Sequence, residues 1–176
     1  VLVLAPTKEL ATQIAQMAEA LNAYAGLTIL PLIGGVNKVE QRKKLESGAD
    51  IIVATPGRFM DLYFEGRIPL KKVAYLVLDE ADRLLDMGFL RQLNAVLELL
   101  PRKAKKILFS ATFPDALEEV VANFIAFPHR IEVSEQEHTA EGITQYKVAL
   151  PNRLTKLSFL LDLLQKPQAE RVIIFT

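Results

Sequence analysis

Two neighbouring carboxylates, Asp79 and Glu80, stand directly after the apolar run 76–78 and are well placed to do chemistry. A carboxylate at the tip of a buried strand suits Mg²⁺, which takes few protein carboxylates and completes its coordination with water and phosphate oxygens. The second carboxylate could orient or deprotonate an attacking water. Acidic residues also collect in the first turn of ordinary helices, because the helix dipole favours them there. The pair alone therefore leaves both interpretations open.

A second polar cluster contains Ser110 and Thr112 in the sequence SAT, which follows a later apolar run. The two hydroxyls could hold the carboxylate of Asp82 by hydrogen bonds. The simpler interpretation is a turn that leads into a helix beginning near Pro114. Carboxylates after one strand and hydroxyls after a later strand together favour a functional site.

The segment TPGR predicts the start of a helix, with Thr55 as its N-cap and Pro56 at the first helical position. A helix N-terminus presents unpaired N–H groups and a positive dipole end, which attract phosphate. Arg58 adds a fork of donors that matches phosphate oxygens. An ordinary capped helix with a solvated arginine explains the same residues. This segment by itself therefore does not distinguish a phosphate-binding site from an ordinary helix.

Two further segments are equally ambiguous when each is taken alone. Thr7 is a candidate N-cap, and the basic residue Lys8 lies in the first turn of the helix that follows. The TPGR segment likewise has a threonine followed by a basic residue in the first turn. Gly34 and Gly35 would let a ligand approach the backbone closely, or would form a simple turn.

Short apolar runs alternate with amphipathic segments, which predicts alternating strands and helices. The runs are continuous, as in strands covered on both faces, so the sequence predicts an α/β fold with a mostly parallel sheet. In such a sheet the carboxyl ends of the strands share one edge, where ligands bind, and all five polar clusters should meet there. The predicted strands are residues 1–5, 27–33, 51–54, 73–78, 106–109 and 130–133, and the predicted helices are residues 8–25, 38–45, 58–64, 81–85, 89–100 and 114–126.

The composition is that of a globular chain, with 51% hydrophobic and 24% charged residues among 176. The net charge is zero, so any nucleic-acid site must consist of a few placed groups rather than a broad basic field. There is no cysteine, which excludes disulfides and thiolate metal sites and fits a reducing cytoplasm. His129 and His138 lack metal-ligand spacing. No apolar run reaches the ~18 residues of a membrane span, so no membrane association is predicted.

The polar, acidic residues 134–142 are predicted to link two domains. Residues 1–133 would form a first domain, and residues 143–176 would begin a second domain. Because the chain starts within a predicted strand, lacks an initiator Met and stops in another predicted strand, we expect a fragment. The last part contains a predicted strand at 144–150, a helix at 154–164 and a strand at 171–175, which cannot bury a core alone.

Taken together, the polar clusters resemble the DEAD-box family of ATP-dependent RNA helicases, in its bacterial form. The resemblance covers essentially the whole chain and follows the order of the family's motifs. It implies a RecA-like domain of the P-loop NTPase type, truncated at its N-terminus, and the start of a second RecA-like domain. The matching segments are PTKEL at 6–10, GG at 34–35, TPGR at 55–58, LVLDEADRLLDMGF at 76–89, SAT at 110–112 and VIIFT at 172–176.

The resemblance implies an enzyme whose ATP hydrolysis is stimulated by RNA and coupled to unwinding or remodelling of RNA duplexes. Asp79 would hold Mg²⁺ and ATP, through water, and Glu80 would position the hydrolytic water. Asp82, Ser110 and Thr112 would couple the nucleotide site to domain closure.

RNA is the implied partner, bound mainly through its sugar–phosphate backbone. This mode suits a neutral chain, because helix N-termini and backbone N–H groups can make such contacts, and 2′-hydroxyl contacts would select RNA. Lys8 departs from the family, which more often has arginine there, and a lysine lacks the bidentate fork. The residues implied to line the RNA path are Thr7, Lys8, Gly34, Gly35, Thr55, Gly57 and Arg58.

The family's phosphate-binding pattern GxxxxGK[ST] does not occur in this sequence, and the arginine-bearing motifs of the second domain would follow Thr176. Phosphoryl transfer depends on these groups, and an arginine finger alone contributes ~10³–10⁵ in rate. We therefore expect the chain by itself to be inactive. One alternative is a non-catalytic RNA-binding clamp or scaffold with a helicase-like fold, against which the intact Asp79-Glu80 pair argues. Another is a related ATPase that acts on DNA.

Overall fold

Five strands form one sheet in the computed structural model. Every neighbouring pair of strands is parallel. The model describes residues 1–125, 127–133, 144, 146–166 and 171–175. The strands in this part of the chain are β1 (Leu2–Leu4), β2 (Ile29–Leu32), β3 (Ile51–Ala54), β4 (Tyr75–Leu78) and β5 (Lys105–Leu108).

The strand order across the sheet is β2-β3-β1-β4-β5, so the first strand of the chain lies at the centre. Val3 of β1 is in register with Val53 of β3 on one side and with Val77 of β4 on the other. The predicted α/β fold with a parallel sheet is thereby confirmed. The sequence predicted this fold correctly because strands that are covered on both faces consist of continuous apolar residues.

Helices connect the strands, as the alternating pattern predicts. Among the described residues, short 3₁₀ turns at Asn22–Tyr24 and Leu70–Lys72 complete two of the connections. The helices are α1 (Lys8–Leu21), α2 (Lys38–Glu46), α3 (Pro56–Phe64), α4 (Ala81–Asp86), α5 (Leu90–Leu99), α6 (Asp115–Phe124) and α7 (Arg153–Leu164).

The core lies in two layers, one on each face of the sheet. On one face, Leu4 and Leu78 are packed in a cluster with Phe59 of α3, Leu84 of α4 and Leu93 of α5, and all five side chains are buried. This is the larger layer and it holds the helices that follow β3 and β4 in place. It therefore fixes the positions of the loops that carry the polar clusters.

On the opposite face, α1 packs against β1, β3 and the edge strand β2. Its small residues Ala11 and Ala15 are buried in a second cluster with Val3, Ala5 and Val53. Alanine at these positions allows the helix to approach the sheet closely, and the β-branched valines suit a strand covered by a helix. The position of α1 in turn fixes the residues at its N-terminus.

Helix α2 is more buried than predicted. The sequence predicts a charged, solvent-exposed helix there, but Gln41 and Leu45 are both buried. They are four residues apart and therefore share one face of the helix. The high density of charge in the rest of α2 obscured this narrow contact face in the sequence.

Three predicted strands are wrong. Residues 130–133, the described residues within 144–150 and residues 171–175 have no strand structure. The apolar side chains are present but exposed, with Ile131 at 78% and Ile173 at 80% relative exposure. Apolar sequence alone does not make a strand, because the backbone N–H and C=O groups need a neighbouring strand to bond with.

The chain divides into two compact units, Val1–Arg130 and Ile131–Thr176. The second unit contains α7, whose N-cap Asn152 accepts a hydrogen bond from the backbone N–H of Thr155 at 2.9 Å. The predicted linker, residues 134–142, lies outside the described residues. No helix in the described part of the chain is long and apolar enough to cross a membrane.

Candidate functional site

The carboxyl ends of the strands lie along one edge of the sheet, and their backbone hydrogen bonds continue into the polar loops. Asp79, the first residue after β4, donates its N–H to the carbonyl of Leu4 at 3.0 Å. Thr55, the first residue after β3, donates to Leu32 at 3.1 Å in the same way. The structure therefore places the five polar clusters at one sheet edge, although they are far apart in the sequence.

The Asp79-Glu80 pair forms a tight turn between β4 and α4. Glu80 has a left-handed backbone, with φ of 46° and ψ of 56°. Its N–H donates to Oδ1 of Asp79 at 3.0 Å. A non-glycine residue rarely adopts this conformation, which costs about 1–2 kcal/mol and is typical of functional sites. The turn directs the chain from a buried strand into the helix that carries Asp82.

Arg83 interacts with the second carboxylate of the pair. Its Nη1 donates to Oε2 of Glu80 at 3.1 Å, one helical turn away. The pair is largely exposed and so contributes little stability. It does give the Glu80 carboxylate a defined position next to Asp79.

Asp82 joins the carboxylate cluster to the SAT loop. Its Oδ2 accepts hydrogen bonds from the Thr112 hydroxyl at 2.7 Å and from the Thr112 N–H at 2.9 Å. The Asp82 N–H donates to the Ser110 hydroxyl at 3.0 Å, and that hydroxyl donates to the Thr112 carbonyl at 2.7 Å. The structure thus brings together the three residues that the sequence analysis grouped.

The pKa of the Asp82 carboxyl lies below its ordinary value. Partial burial acts to raise this pKa, but the hydrogen bonds from the hydroxyl and N–H of Thr112 and from the N–H of Arg83 outweigh the burial. Hydrogen bonds to a charged carboxylate favour the charged form. Asp82 is therefore a carboxylate throughout the neutral pH range and remains an acceptor for the SAT loop.

Asp79 has the chemistry of a ligand for a hard divalent cation. Its carboxylate lies at the end of β4 and uses Oδ1 for the N–H of Glu80. No group of three or more potential metal-ligating side chains occurs in the described residues. A hydrated ion such as Mg²⁺, which needs one or two carboxylates and otherwise water and phosphate oxygens, fits this donor set. A dehydrated ion held in a cage of protein ligands does not.

Thr7 caps α1 as predicted, since its Oγ1 accepts the N–H of Leu10 at 3.2 Å. Thr55 occupies the predicted N-cap position of α3, with Pro56 at the start of the helix. Within the described residues, however, the Thr55 side chain makes no capping hydrogen bond. Lys8 is exposed next to Glu9, with a separation of 3.7 Å between Nζ and Oε1.

The Gly34-Gly35 loop and the start of α3 are joined by Arg58. Its Nη1 donates to the carbonyl of Val36 and to Oε1 of Gln41, each at 3.2 Å. Arg58 is therefore more than the solvated arginine of the simpler interpretation. The same guanidinium contacts the glycine loop and the helix that follows it.

Sequence reasoning missed two residues of this edge. Gln41 was hidden in a charged helix, and its only signal was the spacing of four residues to the apolar Leu45. Arg83 was hidden because an arginine three residues after Glu80 is ordinary on a helix surface. Both contacts depend on side-chain geometry, which neither composition nor periodicity reports.

The fold and the site define a parallel α/β domain of the RecA-like class, with carboxylates after one strand and hydroxyls after its neighbour. Residues 1–120 match the model of the DEAD/DEAH box helicase family. This match spans well over half of the chain, and the chain belongs to that family.

Relatives among well-described proteins agree with this assignment. The chain is 42% identical over 169 residues to a DEAD-box ATP-dependent RNA helicase, 52A, of Oryza sativa subsp. japonica, covering 94% of this chain and 28% of the relative. It is 38% identical to the ATP-dependent RNA helicase RhlB of Pseudomonas putida, covering 99% of this chain and 44% of the relative. The chain thus spans less than half the length of these relatives. One of these relatives is a plant protein and the other a bacterial protein. The predicted resemblance to the bacterial form of the family therefore stays a prediction.

Solved structures show the same architecture. A hypothetical ATP-dependent RNA helicase from Sulfolobus tokodaii is 34% identical and superimposes with a TM-score of 0.70, covering 73% of this chain and 38% of that chain. A DEAD box protein from the hyperthermophile Methanococcus jannaschii is 37% identical with a TM-score of 0.67, covering 70% of this chain and 34% of that chain. The RecA-like fold predicted from the sequence is confirmed by these similarities.

Proposed function

We propose that the full-length protein is an ATP-dependent RNA helicase, in which RNA stimulates ATP hydrolysis and the hydrolysis drives the unwinding or remodelling of RNA duplexes. The single observation that carries the proposal is the connected site in which Asp79 and Glu80 stand beside Asp82, itself hydrogen-bonded to Thr112. Relatives that are 42% and 38% identical to this chain are named ATP-dependent RNA helicases. A scaffold without turnover would not need the Asp79-Glu80 pair.

In this proposal the chain supplies part of the hydrolytic site. Asp79 would hold Mg²⁺, bound with ATP, through water molecules, and the ion would neutralise charge on the transferred phosphoryl group. Glu80 would orient the attacking water and accept its proton. Arg83 holds the Glu80 carboxylate at 3.1 Å and would have to share it with that water.

Asp82 would transmit the state of the nucleotide site. It lies on α4, close to Glu80, and accepts two hydrogen bonds from Thr112 on the loop after β5. A movement of this loop would therefore displace Asp82 and, with it, the neighbouring carboxylate of Glu80. We propose that Ser110 and Thr112 couple hydrolysis to the closure of the two RecA-like domains in this way.

RNA would bind along the same sheet edge through its sugar–phosphate backbone. The N-termini of α1 and α3 begin after Thr7 and Thr55 and present N–H groups suited to phosphate, and only Thr7 caps its helix with a side-chain hydrogen bond. Such contacts do not read bases, so we expect little sequence selectivity. The residues proposed to line this path are Thr7, Lys8, Gly34, Gly35, Thr55, Gly57 and Arg58.

The 176-residue chain by itself is proposed to be inactive, because its sequence contains no GxxxxGK[ST] loop. We also propose that residues 143–176 begin a second RecA-like domain and that the protein acts in the cytoplasm.

The decisive experiment measures ATP hydrolysis by the full-length protein with and without single-stranded RNA or DNA of the same sequence. The variant Glu80→Gln removes the proposed base, and Glu98→Gln is its control, because Glu98 is exposed on α5 away from the site. We expect RNA-stimulated turnover that falls by roughly 10²–10⁴ in Glu80→Gln and is unchanged in Glu98→Gln.

Three other results would contradict the proposal. RNA binding without any turnover in the unmodified protein would indicate a clamp or scaffold. Equal stimulation by DNA and RNA would indicate a less selective ATPase of the same superfamily. Turnover by the 176-residue chain alone would show that it does not need the missing loop.

A further inference from the structure

Gln41 is the only buried polar side chain among the described residues, with 4% relative exposure. It lies on α2, a helix whose other polar residues face solvent or form exposed ion pairs. Burial of an amide is unfavourable unless both of its ends form hydrogen bonds. A buried glutamine in this position therefore needs partners that are specific to it.

Both ends of the Gln41 amide are bonded, each to a different element. Nε2 donates to the carbonyl of Ile33, just after β2, at 3.0 Å. Oε1 accepts from Nη1 of Arg58, at the start of α3, at 3.2 Å. A carbonyl can only accept and a guanidinium can only donate, so the orientation of the amide is determined by its partners. Gln41 is thus a directional link between two parts of the sheet edge.

The link encloses the glycine loop. Nη1 of Arg58 also donates to the carbonyl of Val36 at 3.2 Å. The loop is therefore held before the glycines at Ile33 and after them at Val36. Gly35 within it has φ of 77°, in the left-handed region that favours glycine. The loop and the guanidinium share one set of hydrogen bonds and should move together.

Arg58 keeps donors available for a ligand. Both of its hydrogen bonds in the described part of the chain use Nη1, which leaves Nη2 and Nε for a phosphate oxygen pair. A guanidinium whose plane is already held in place loses less side-chain entropy on binding than a freely rotating one.

We propose that Gln41 is a positioning residue for RNA: it holds the Gly34-Gly35 loop and Arg58 in the arrangement that binds the RNA backbone, without touching RNA itself. This inference rests on the proposed function and deepens it. It concerns affinity for RNA and not the chemical step, because Gln41 makes no contact with the carboxylate cluster among the described residues.

The test compares Gln41→Met with Gln16→Met in the full-length protein. Methionine has a similar length but cannot bond to Ile33 or Arg58, and Gln16 is an exposed residue of α1. We expect Gln41→Met to weaken the binding of a single-stranded RNA by roughly 5–30-fold, the effect of one or two lost hydrogen bonds. The RNA concentration for half-maximal ATPase stimulation should rise equally, with the maximal rate unchanged. Gln16→Met should match the unmodified protein in both measurements.

A double-variant cycle separates positioning from general destabilisation. Because Gln41 holds Arg58 as well as the loop, the loss of RNA affinity in Gln41→Met together with Arg58→Ala should be smaller than the sum of the two single losses. Additive losses, or an unchanged affinity in folded Gln41→Met, would overturn the inference. An unmodified protein that binds no RNA would instead refute the proposed function.

Gln41→Glu covers the case in which Gln41→Met fails to fold. The glutamate keeps an acceptor for Arg58 but loses the donor to Ile33, so its RNA affinity should lie between those of the unmodified protein and Arg58→Ala. Circular dichroism of each variant establishes that it is folded. An affinity equal to that of the unmodified protein would overturn the inference.

Discussion

Thr112 donates two hydrogen bonds to the same oxygen of Asp82, one from its hydroxyl at 2.7 Å and one from its N–H at 2.9 Å. The two residues are thirty positions apart in the sequence. They belong to neighbouring strand ends, since Asp82 lies in the helix after β4 and Thr112 in the loop after β5. This contact makes the carboxylate cluster and the SAT loop one structural unit.

Removal of the Thr112 hydroxyl should destabilise the chain in a pH-dependent manner. The variant Thr112→Val loses the 2.7 Å hydrogen bond, and we expect the free energy of unfolding at pH 7 to fall by about 1 kcal/mol. The pKa of Asp82 is lowered in the folded state, so its contribution is present above the ordinary carboxyl pKa and is lost as pH falls through the lowered value. The difference between the variant and the unmodified chain should therefore shrink in acid.

Urea unfolding of both chains at several pH values between 7 and strongly acidic conditions checks this prediction. Thr12→Val is the matched control, because within the described residues the Thr12 hydroxyl bonds only to a carbonyl of its own helix, that of Lys8. Its effect should not depend on pH. A constant difference for Thr112→Val across the pH range would contradict the assignment of the Asp82 shift to Thr112.

Glu80 should be unfavourable for stability because of its left-handed backbone, with φ of 46°. The variants Glu80→Gly and Glu80→Gln both lose the ion pair to Arg83, but only glycine relieves the backbone strain. We expect Glu80→Gly to be more stable than Glu80→Gln by about 0.5–1 kcal/mol in denaturant unfolding, after allowance for the greater freedom of glycine in the unfolded chain. Equal stabilities would show that this turn is not strained.

Leu84 should be important for the position of the carboxylate turn. It is fully buried on α4, one turn after Glu80, and packs in the main core. Leu84→Ala should lower the free energy of unfolding by about 2–5 kcal/mol, since it removes apolar contacts and leaves a cavity. Leu99→Ala, at a site with 40% relative exposure, is the control and should lose less than about 1 kcal/mol. Guanidinium unfolding measures both, and similar losses would contradict the packing described for α4.

The two candidate N-cap threonines should behave differently. Thr7 accepts the N–H of Leu10 at 3.2 Å, whereas Thr55 makes no capping bond within the described residues. Thr7→Ala should therefore lower the free energy of unfolding by about 1 kcal/mol and Thr55→Ala by much less. Thermal unfolding of the two variants provides the comparison. A larger loss for Thr55→Ala than for Thr7→Ala would contradict this difference in capping.

The elements that position the site were predictable because their signals are local. Thr7 preceded an amphipathic stretch and capped it, and the five apolar runs that form β1 to β5 were each flanked by turn residues. The predicted parallel sheet also placed Asp79 and Thr112 at one edge, because parallel strands have their carboxyl ends on the same side of the sheet. The sequence suggested hydrogen bonds between Asp82 and the SAT loop but could not establish them.

Other features depended on partners that a sequence does not specify. Residues 171–175 have strand composition but no strand structure, because a strand requires backbone partners on a neighbouring strand. Gln41 has the sequence context of a surface residue, but its amide is bonded between Ile33 and Arg58. Arg83 has the sequence context of an ordinary helix arginine, but its guanidinium contacts the Glu80 carboxylate.

The sequence by itself determined the strands β1 to β5, the helices that connect them and the family of the protein, because apolar periodicity and short motifs are written along the chain. The tertiary structure alone decided which polar atoms bond to one another. Those choices depend on distances of about 3 Å between residues from different elements, and such distances exist only after the core has packed. The link from Asp82 to Thr112 and the link from Gln41 to Arg58 both arise in this way.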